Sequence, residues 1–310
     1  MSGDMSELSA KARRLKRAVE PLAAGIYFAR EAHEAYAALG FGPSPGDNDG
    51  LQLPDRVAYF ASRGACLGQV PGEVIAAAFG VFNPAVVVPM VDAAWEITDA
   101  PTILAAREHG ARESLRRMLS PSADAPEGCA RATELLRRGA DAARGEGRHL
   151  HSGLRSLGFP GDPIADLWRA ADLVREHRGD SHIAAWIAHG FDATEISLIT
   201  EPYMGVPMRS YSRSRAWTDA DFDAALERMT ARGLFKDGEL TTEGRDAREA
   251  VEVSTDLQVR YVIEAIGSDV DELCTLLEGY AAKILEHKGY PGAPGQIMRA
   301  RSEVTPEARA

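Results

Sequence analysis

Aromatic side chains make up only 7% of this 310-residue chain, so stacked rings cannot build its cores. Ala, Leu, Val and Ile must fill them instead, which favours close-packed helices over sandwiches of β-branched and aromatic strands. The expected fold class is mostly α. Cysteine is scarcer still: Cys66, Cys129 and Cys274 are odd in number and far apart, without the paired spacing of a zinc site. They read as reduced thiols, and neither a metal site nor a cofactor is expected. Basic residues are outnumbered, 35 against 46 acidic, for a net charge of -11. Such a field repels polyanions and disfavours nucleic acid as a partner.

Long apolar runs are also missing. The longest, Ala85 to Met90, contains Pro89 and is far short of the roughly 20 residues that span a bilayer. The N-terminal MSGDMSELSAKARRLKRAVEP has basic residues but neither a continuous apolar stretch nor a small-residue cleavage pattern. No membrane partner and no export signal are expected, and the location expected is cytoplasmic.

What is present is 45% hydrophobic residues over a length that suits two domains. Leu15, Val19, Leu22, Ile26 and Phe28 recur at helical spacing, predicting one long helix from Glu7 to about Leu39, or two with a break near Pro21. Loops are expected at Gly42 to Gly50, Ser120 to Gly128 and Gly145 to Pro163, with the domain boundary in the last. The division expected is 1–150, a helical and degenerate winged-helix-like domain; 151–290, a winged-helix domain; and 291–310, a proline-containing flexible tail.

In the C-terminal half, LWRAADLVREHRG predicts a helix stopped by Gly179. Asp180 or Ser181 would cap the next helix, HIAAWIAHG, and ATEISLI would form a third after a turn at Gly190. Thr218 and Asp221 have the spacing of a capping box. Asp237-Gly238 predicts a hairpin turn between two short strands, before a further helix. The order helix, hairpin, helix is that of a winged helix.

On these residues, RGLFKDGELTTEGRDAREAVE resembles the wing region of MarR-like regulators, over roughly residues 215 to 255. More widely, REHRGDSHIAAW, RAWTDADF and ASRGACLGQVPGEVIAAAFGVFNP resemble a large actinobacterial family described by its helix-turn-helix. That likeness spans most of the chain but brings no established activity. The halves also resemble one another. Each has an Arg-Gly pair before a small-residue helix and a Phe-Asn or Phe-Asp turn. Each then places a Trp before Thr-Asp-Ala, at Trp95 with Thr98 and at Trp217 with Thr218. Internal duplication would explain this, and so would chance recurrence of Ala-rich helices and Thr-Asp caps.

A DNA-reading helix must offer Arg, Lys, Asn or Gln to the groove. The helix in that position offers Asp219, Asp221, Asp223 and Glu227 instead. Arg209, Arg213 and Arg215 in RSYSRSR form the basic stretch that a DNA-binding alternative would use. The helix near Arg112, Arg116 and Arg117 is also basic. The densest polar cluster is Arg175-Glu176-His177-Arg178-Gly179-Asp180-Ser181-His182. Two imidazoles beside carboxylates suit acid–base work, and arginines at a helix start suit an anion. The same cluster also reads as an ion-paired helix junction. A metal set of His177, Asp180, His182 and His189 matches no zinc pattern.

Arg63-Gly64 holds the equivalent place in the first half. Cys66 beside it reads as buried, since no nearby His can activate it. His149 to His151 read as a surface linker. The function expected is a winged-helix-like protein holding a small polar or anionic ligand between its halves, as monomer or homodimer. The ligand residues expected are Arg63, Arg175, His177, Arg178, Asp180 and His182. The alternatives are a MarR-like transcriptional regulator and an enzyme of specialised metabolism using His177 or His182.

Overall fold

Two hydrophobic cores share one central helix. The computed structural model describes residues 2–48 and 50–292; most of the tail expected over 291–310 therefore lies outside the described residues. The chain runs through α1 (Ser2–Ala24), α2 (Arg30–Ala38), β1 (Asp47–Asn48), β2 (Leu51–Gln52), α3 (Arg56–Gly64), α4 (Gly72–Phe79), α5 (Pro84–Ile97) and α6 (Ala100–Leu119). It continues through α7 (Cys129–Ala142), α8 (His149–Ser156), α9 (Pro163–Ala188), α10 (Ala193–Tyr203), α11 (Asp219–Ala231), β3 (Phe235–Lys236), β4 (Glu239–Leu240), α12 (Thr242–Gln258), α13 (Arg260–Ile266) and α14 (Val270–Glu286). The fold is mostly helical, as the composition requires. Each strand pair is a two-stranded antiparallel hairpin.

Pro21 falls in the last turn of α1, and the chain turns through a short 3-10 segment at Gly25–Phe28 before α2. The two-helix alternative for this stretch therefore holds. The larger core runs from Ala12 to Val174 and takes back Val259 to Ile284. The smaller lies between Ala185 and Val251, around Phe222, Met229, Ile199 and Phe235. In it α10, α11, the β3–β4 hairpin and α12 follow in the predicted order. Thr218 and Asp221 form the capping box of α11. Asp237 and Gly238, with φ of 50° and 83°, make the hairpin turn. That left-handed pair is what a two-residue connection between twisted strands demands.

The break predicted at Gly179 is absent. α9 runs unbroken for 26 residues, so Asp180 and Ser181 cap nothing. Glycine inside a helix costs only about 1 kcal/mol. Here α9 is flanked by α1, α6, α7, α8 and α12 and buries almost every side chain of its first half. Burial on all faces outweighs that local weakness. Ser181 instead donates its hydroxyl to the His177 carbonyl one turn back, at 2.7 Å.

The linker reading of His149 to His151 is likewise corrected, since these residues begin α8 and His151 is completely buried against α9. Cys66, Cys129 and Cys274 are buried free thiols, and burial pushes Cys66 up to about 12. Among the described residues, no helix is long and apolar enough to cross a membrane.

Candidate functional site

Where the two cores meet, the helices leave a cavity of about 660 Å³. Its walls come from α1, α3, α9, α10, α12 and α13, together with the turns that carry Tyr27, Phe82 and Tyr211. This volume lies within the range of small-molecule sites. Nine aromatic residues line it, out of four Trp, eight Tyr and nine Phe in the whole chain. The scarce aromatics are thus concentrated in one place.

α9 gives the cavity its polar wall. Arg175, Arg178, His182 and Trp186 recur at steps of three and four residues, which brings them to one helical face, and all four line the cavity. His177 and Asp180 fall on the opposite side of the same helix, towards α8. The Asp180 carboxylate accepts the His151 backbone N–H at 3.0 Å, and the rings of His151 and His177 meet edge to face at 5.0 Å. The expected ligand set is therefore split: Arg63, Arg175, Arg178 and His182 share the cavity, while His177 and Asp180 are not among its lining residues. One continuous helix separates residues that a helix break would have gathered.

The arginines form two ion-pair chains. In the first, Arg63 grips Glu176 through Nε and Nη2 at 3.0 and 2.8 Å. Arg175 reaches the same carboxylate at 2.7 Å and holds Glu20 of α1 at 3.0 Å. In the second, Arg248 and Arg178 share Glu252 at 2.7 and 2.9 Å. Arg178 continues to Asp256 at 2.8 Å, and Asp256 accepts from Arg13 of α1 at 2.7 Å. α1 is thereby tied to α9 directly through Glu20 and, by way of Asp256 of α12, through Arg13. Charge-assisted pairs of this kind are stronger than neutral hydrogen bonds.

Burial raises the Glu176 carboxyl, but the guanidiniums of Arg63 and Arg175 outweigh burial and hold it well below the usual range. Glu252 is lowered in the same way by Lys16, Arg248 and Arg178. His182 places Nδ1 3.1 Å from the Thr255 hydroxyl. Burial, with Arg248 nearby, brings its pKa down to about 3, so the imidazole is neutral at pH 7. Eight cationic side chains line the cavity against four carboxylates, in a protein whose net charge is -11.

The lining from α3, α4 and the neighbouring turns is aromatic. Tyr27 and Tyr59 meet at 4.9 Å between ring centroids, and Tyr59, Phe79 and Phe82 surround one another at 5.9 to 6.4 Å. Arg63 stacks over Phe79 at 4.6 Å and Arg215 over Phe82 at 4.4 Å. The loop that carries Tyr211 is anchored by Glu201, a buried carboxylate that accepts the Arg209 and Ser212 backbone N–H groups at 2.6 and 2.7 Å. Burial, partly offset by these bonds, raises the Glu201 pKa. The same loop is stitched to the first half, because Trp217 Nε1 donates to the Val81 carbonyl and Asn83 bonds the carbonyls of Arg215 and Ala216.

The basic stretch is dispersed. Arg209 pairs with Asp219 and Asp223, Arg213 with Asp219, and Arg215 turns into the cavity. Arg112, Arg116 and Arg117 pair with Glu113, Asp162 and Glu31. His189 Nε2 is engaged by Ser254 at 2.8 Å. Among the described residues, no group of three His, Cys, Asp or Glu side chains is arranged to hold a metal ion.

Sequence reasoning did not find Tyr27, Tyr59, Phe79, Phe82, Glu20, Arg248 or Glu252. The aromatics come from separate segments and no local pattern marks them. Arg248 and Glu252 carried a signal, the i, i+4 Arg–Glu spacing.

No curated protein and no solved structure matches the chain. The profile of one family does, the helix-turn-helix family, over residues 12–291. Because that match takes in α1, the ion-pair chains and the cavity as well as the α10–α12 unit, the chain as a whole belongs to the helix-turn-helix family.

Proposed function

We propose that this helix-turn-helix family protein binds a small polar or anionic organic molecule in the cavity between its halves, and that it is not a conventional DNA reader. The observation that carries the reading is the cavity itself: about 660 Å³, walled by rings and by Arg63, Arg175, Arg178 and His182, with cations in excess of carboxylates. A positive pocket in an acidic protein draws anions to one place. The neutralised basic stretch and the acidic exposed face of α11 support the second clause.

The two halves have the character of tandem winged-helix-like units related by duplication. In the first, Gly80 at φ 68° ends α4, Phe82 is buried and Asn83 caps α5. In the second, Gly190 at φ 73° ends α9, Phe191 is buried and Asp192 caps α10. Trp95 and Trp217 each donate Nε1 to a backbone carbonyl, of Val70 and Val81. Duplication brings Arg63 and Arg178, the arginines of the two Arg-Gly pairs, to the same cavity.

A ligand that binds only the folded chain raises its melting temperature with the logarithm of concentration. Thermal melts of the full chain with inorganic phosphate, dicarboxylates and aromatic acids are expected to show such a saturable rise for at least one class. A flat response to all of them, with binding of random duplex DNA at low salt, would replace this reading with that of a MarR-like regulator. The family match and the α10, α11, wing order favour that second reading.

A further inference from the structure

Resting on the ligand-cavity reading, we infer that the ligand is a flat molecule of two or more fused aromatic rings bearing a carboxylate or similar oxyanion at one end. The ring requirement comes from how the aromatics are placed. Aliphatic residues dominate both cores, yet Tyr27, Tyr59, Phe79 and Phe82 converge on this cavity with centroids about one ring thickness to two apart. Guanidinium planes lie over two of them, with Arg63 on Phe79 and Arg215 on Phe82. Offset and edge-to-face ring contacts add stabilisation beyond area burial. A guanidinium already stacked on one ring presents a flat face that suits another planar group. A cavity of this size is larger than one ring needs.

The oxyanion requirement comes from unmet hydrogen bonding on the α9 and α12 lining of the cavity. On α9 and α12, three buried polar atoms of cavity-lining residues have no hydrogen-bond partner among the described residues: Arg248 Nη1, Trp186 Nε1 and Arg178 Nε. All three are N–H donors. Arg248 is 3% exposed and Trp186 5%, so both donors are withdrawn from bulk water. A buried donor left unpaired costs free energy, and an acceptor-rich ligand recovers it. Since the surrounding carboxylates are already engaged by arginine, the wall lacks acceptors and asks for them from the ligand.

The test is calorimetric titration of the full chain with three probes: 2-naphthoate, which has rings and charge; octanoate, which has charge without rings; and 2-naphthylmethanol, which has rings without charge. The expected result is one site per chain for 2-naphthoate, at least about tenfold tighter than for either other probe, the size of one charge-assisted hydrogen bond or of ring stacking. Trp186→Phe keeps the ring and removes a donor, and Phe82→Leu keeps bulk and removes a ring. Each is expected to weaken 2-naphthoate about five- to tenfold, and Phe82→Leu to leave octanoate unchanged. Near-UV circular dichroism of both variants checks that the fold is kept.

Octanoate binding as tightly as 2-naphthoate would overturn the aromatic class while leaving the cavity reading in place. A 2-naphthoate affinity untouched by both folded variants would place that probe elsewhere and overturn the inference. Absence of heat from all three probes and from inorganic phosphate would overturn the cavity reading as well.

Discussion

Arg63 and Glu176, 113 residues apart, are joined by two parallel hydrogen bonds across the junction of α3 and α9. Glu176 is 2% exposed, so it stays ionised only because Arg63 and Arg175 answer its charge. Removing one partner of a buried pair leaves the other uncompensated, at a cost of about 3–5 kcal/mol. Arg63→Ala is therefore expected to lower unfolding free energy by that amount in urea. Arg63→Met combined with Glu176→Gln is expected to recover more than half of it. Equal loss in the single and double variants would show that the stranded charge is not the cause.

Gly244 explains the glycine of LTTEG. A Cβ there would collide with the Leu234 carbonyl oxygen, which is backbone and cannot step aside cheaply. Thr241 closes the same corner, accepting the Gly244 N–H at 3.0 Å and donating to the Gly233 carbonyl at 2.8 Å. Gly244→Ala is expected to cost about 1–3 kcal/mol, the usual price of forced overpacking. Hydrogen exchange is expected to show the loss concentrated in the β3–β4 hairpin and the first turn of α12. Uniform loosening throughout the chain would contradict that local account.

The capped start of α11 and the β3–β4 hairpin were readable because their devices are local. Thr218 with Asp221 and Asp237 with Gly238 each lie within four residues, and backbone sterics dictate their conformation whatever surrounds them. Gly179 misled for the complementary reason. Its helix-breaking tendency is also local, but α9 is held by five neighbouring helices that no short segment announces. The site divided the same way. Arg175, Arg178 and His182 stand out as one cluster, and three- and four-residue spacing then carries them together. Tyr27, Tyr59, Phe79 and Phe82 meet only through the tertiary fold, so nothing near any of them marks the cavity.

Acid is expected to weaken the fold through the buried histidines, with Asp180 opposing them. Burial, aided by His151 and Arg148, lowers the His177 pKa to about 3, and His182 is lowered to about 3 as well. The unfolded chain protonates both near 6.5 whereas the folded chain does not. Their stability is thus complete above about pH 6.5 and is lost as pH falls towards 3. For the fully buried His177 the loss at pH 5 is about 2 kcal/mol. Burial moves Asp180 the other way, up to about 7, so the folded state takes a proton that the unfolded state refuses until about pH 4. Between those values Asp180 adds stability as pH falls. Asp180→Asn removes this opposition, so urea midpoints from pH 7.5 to 5 are expected to fall more steeply in that variant. A shallower slope than wild type would reverse the sign assigned to Asp180.

The acidic face of α11 gives the last prediction. Asp219 and Asp223 occupy Arg209 and Arg213, with Arg213 2.9 Å from Asp219. These four residues are at the surface, where such pairs contribute little stability, so Asp219→Asn with Asp223→Asn is expected to leave the melting temperature nearly unchanged. The same change releases two guanidiniums and removes two negative charges from the helix that a winged-helix protein would turn towards DNA. Anisotropy of a labelled random duplex at about 50 mM salt is expected to show no binding by the wild type and weak binding by the variant. That binding should fade by about 200 mM, since each phosphate contact steepens the salt dependence. Tight, salt-sensitive binding by the wild type, abolished by Arg209→Ala with Arg213→Ala, would mean that those arginines leave their carboxylates for phosphate, and the protein would then be read as a DNA-binding regulator.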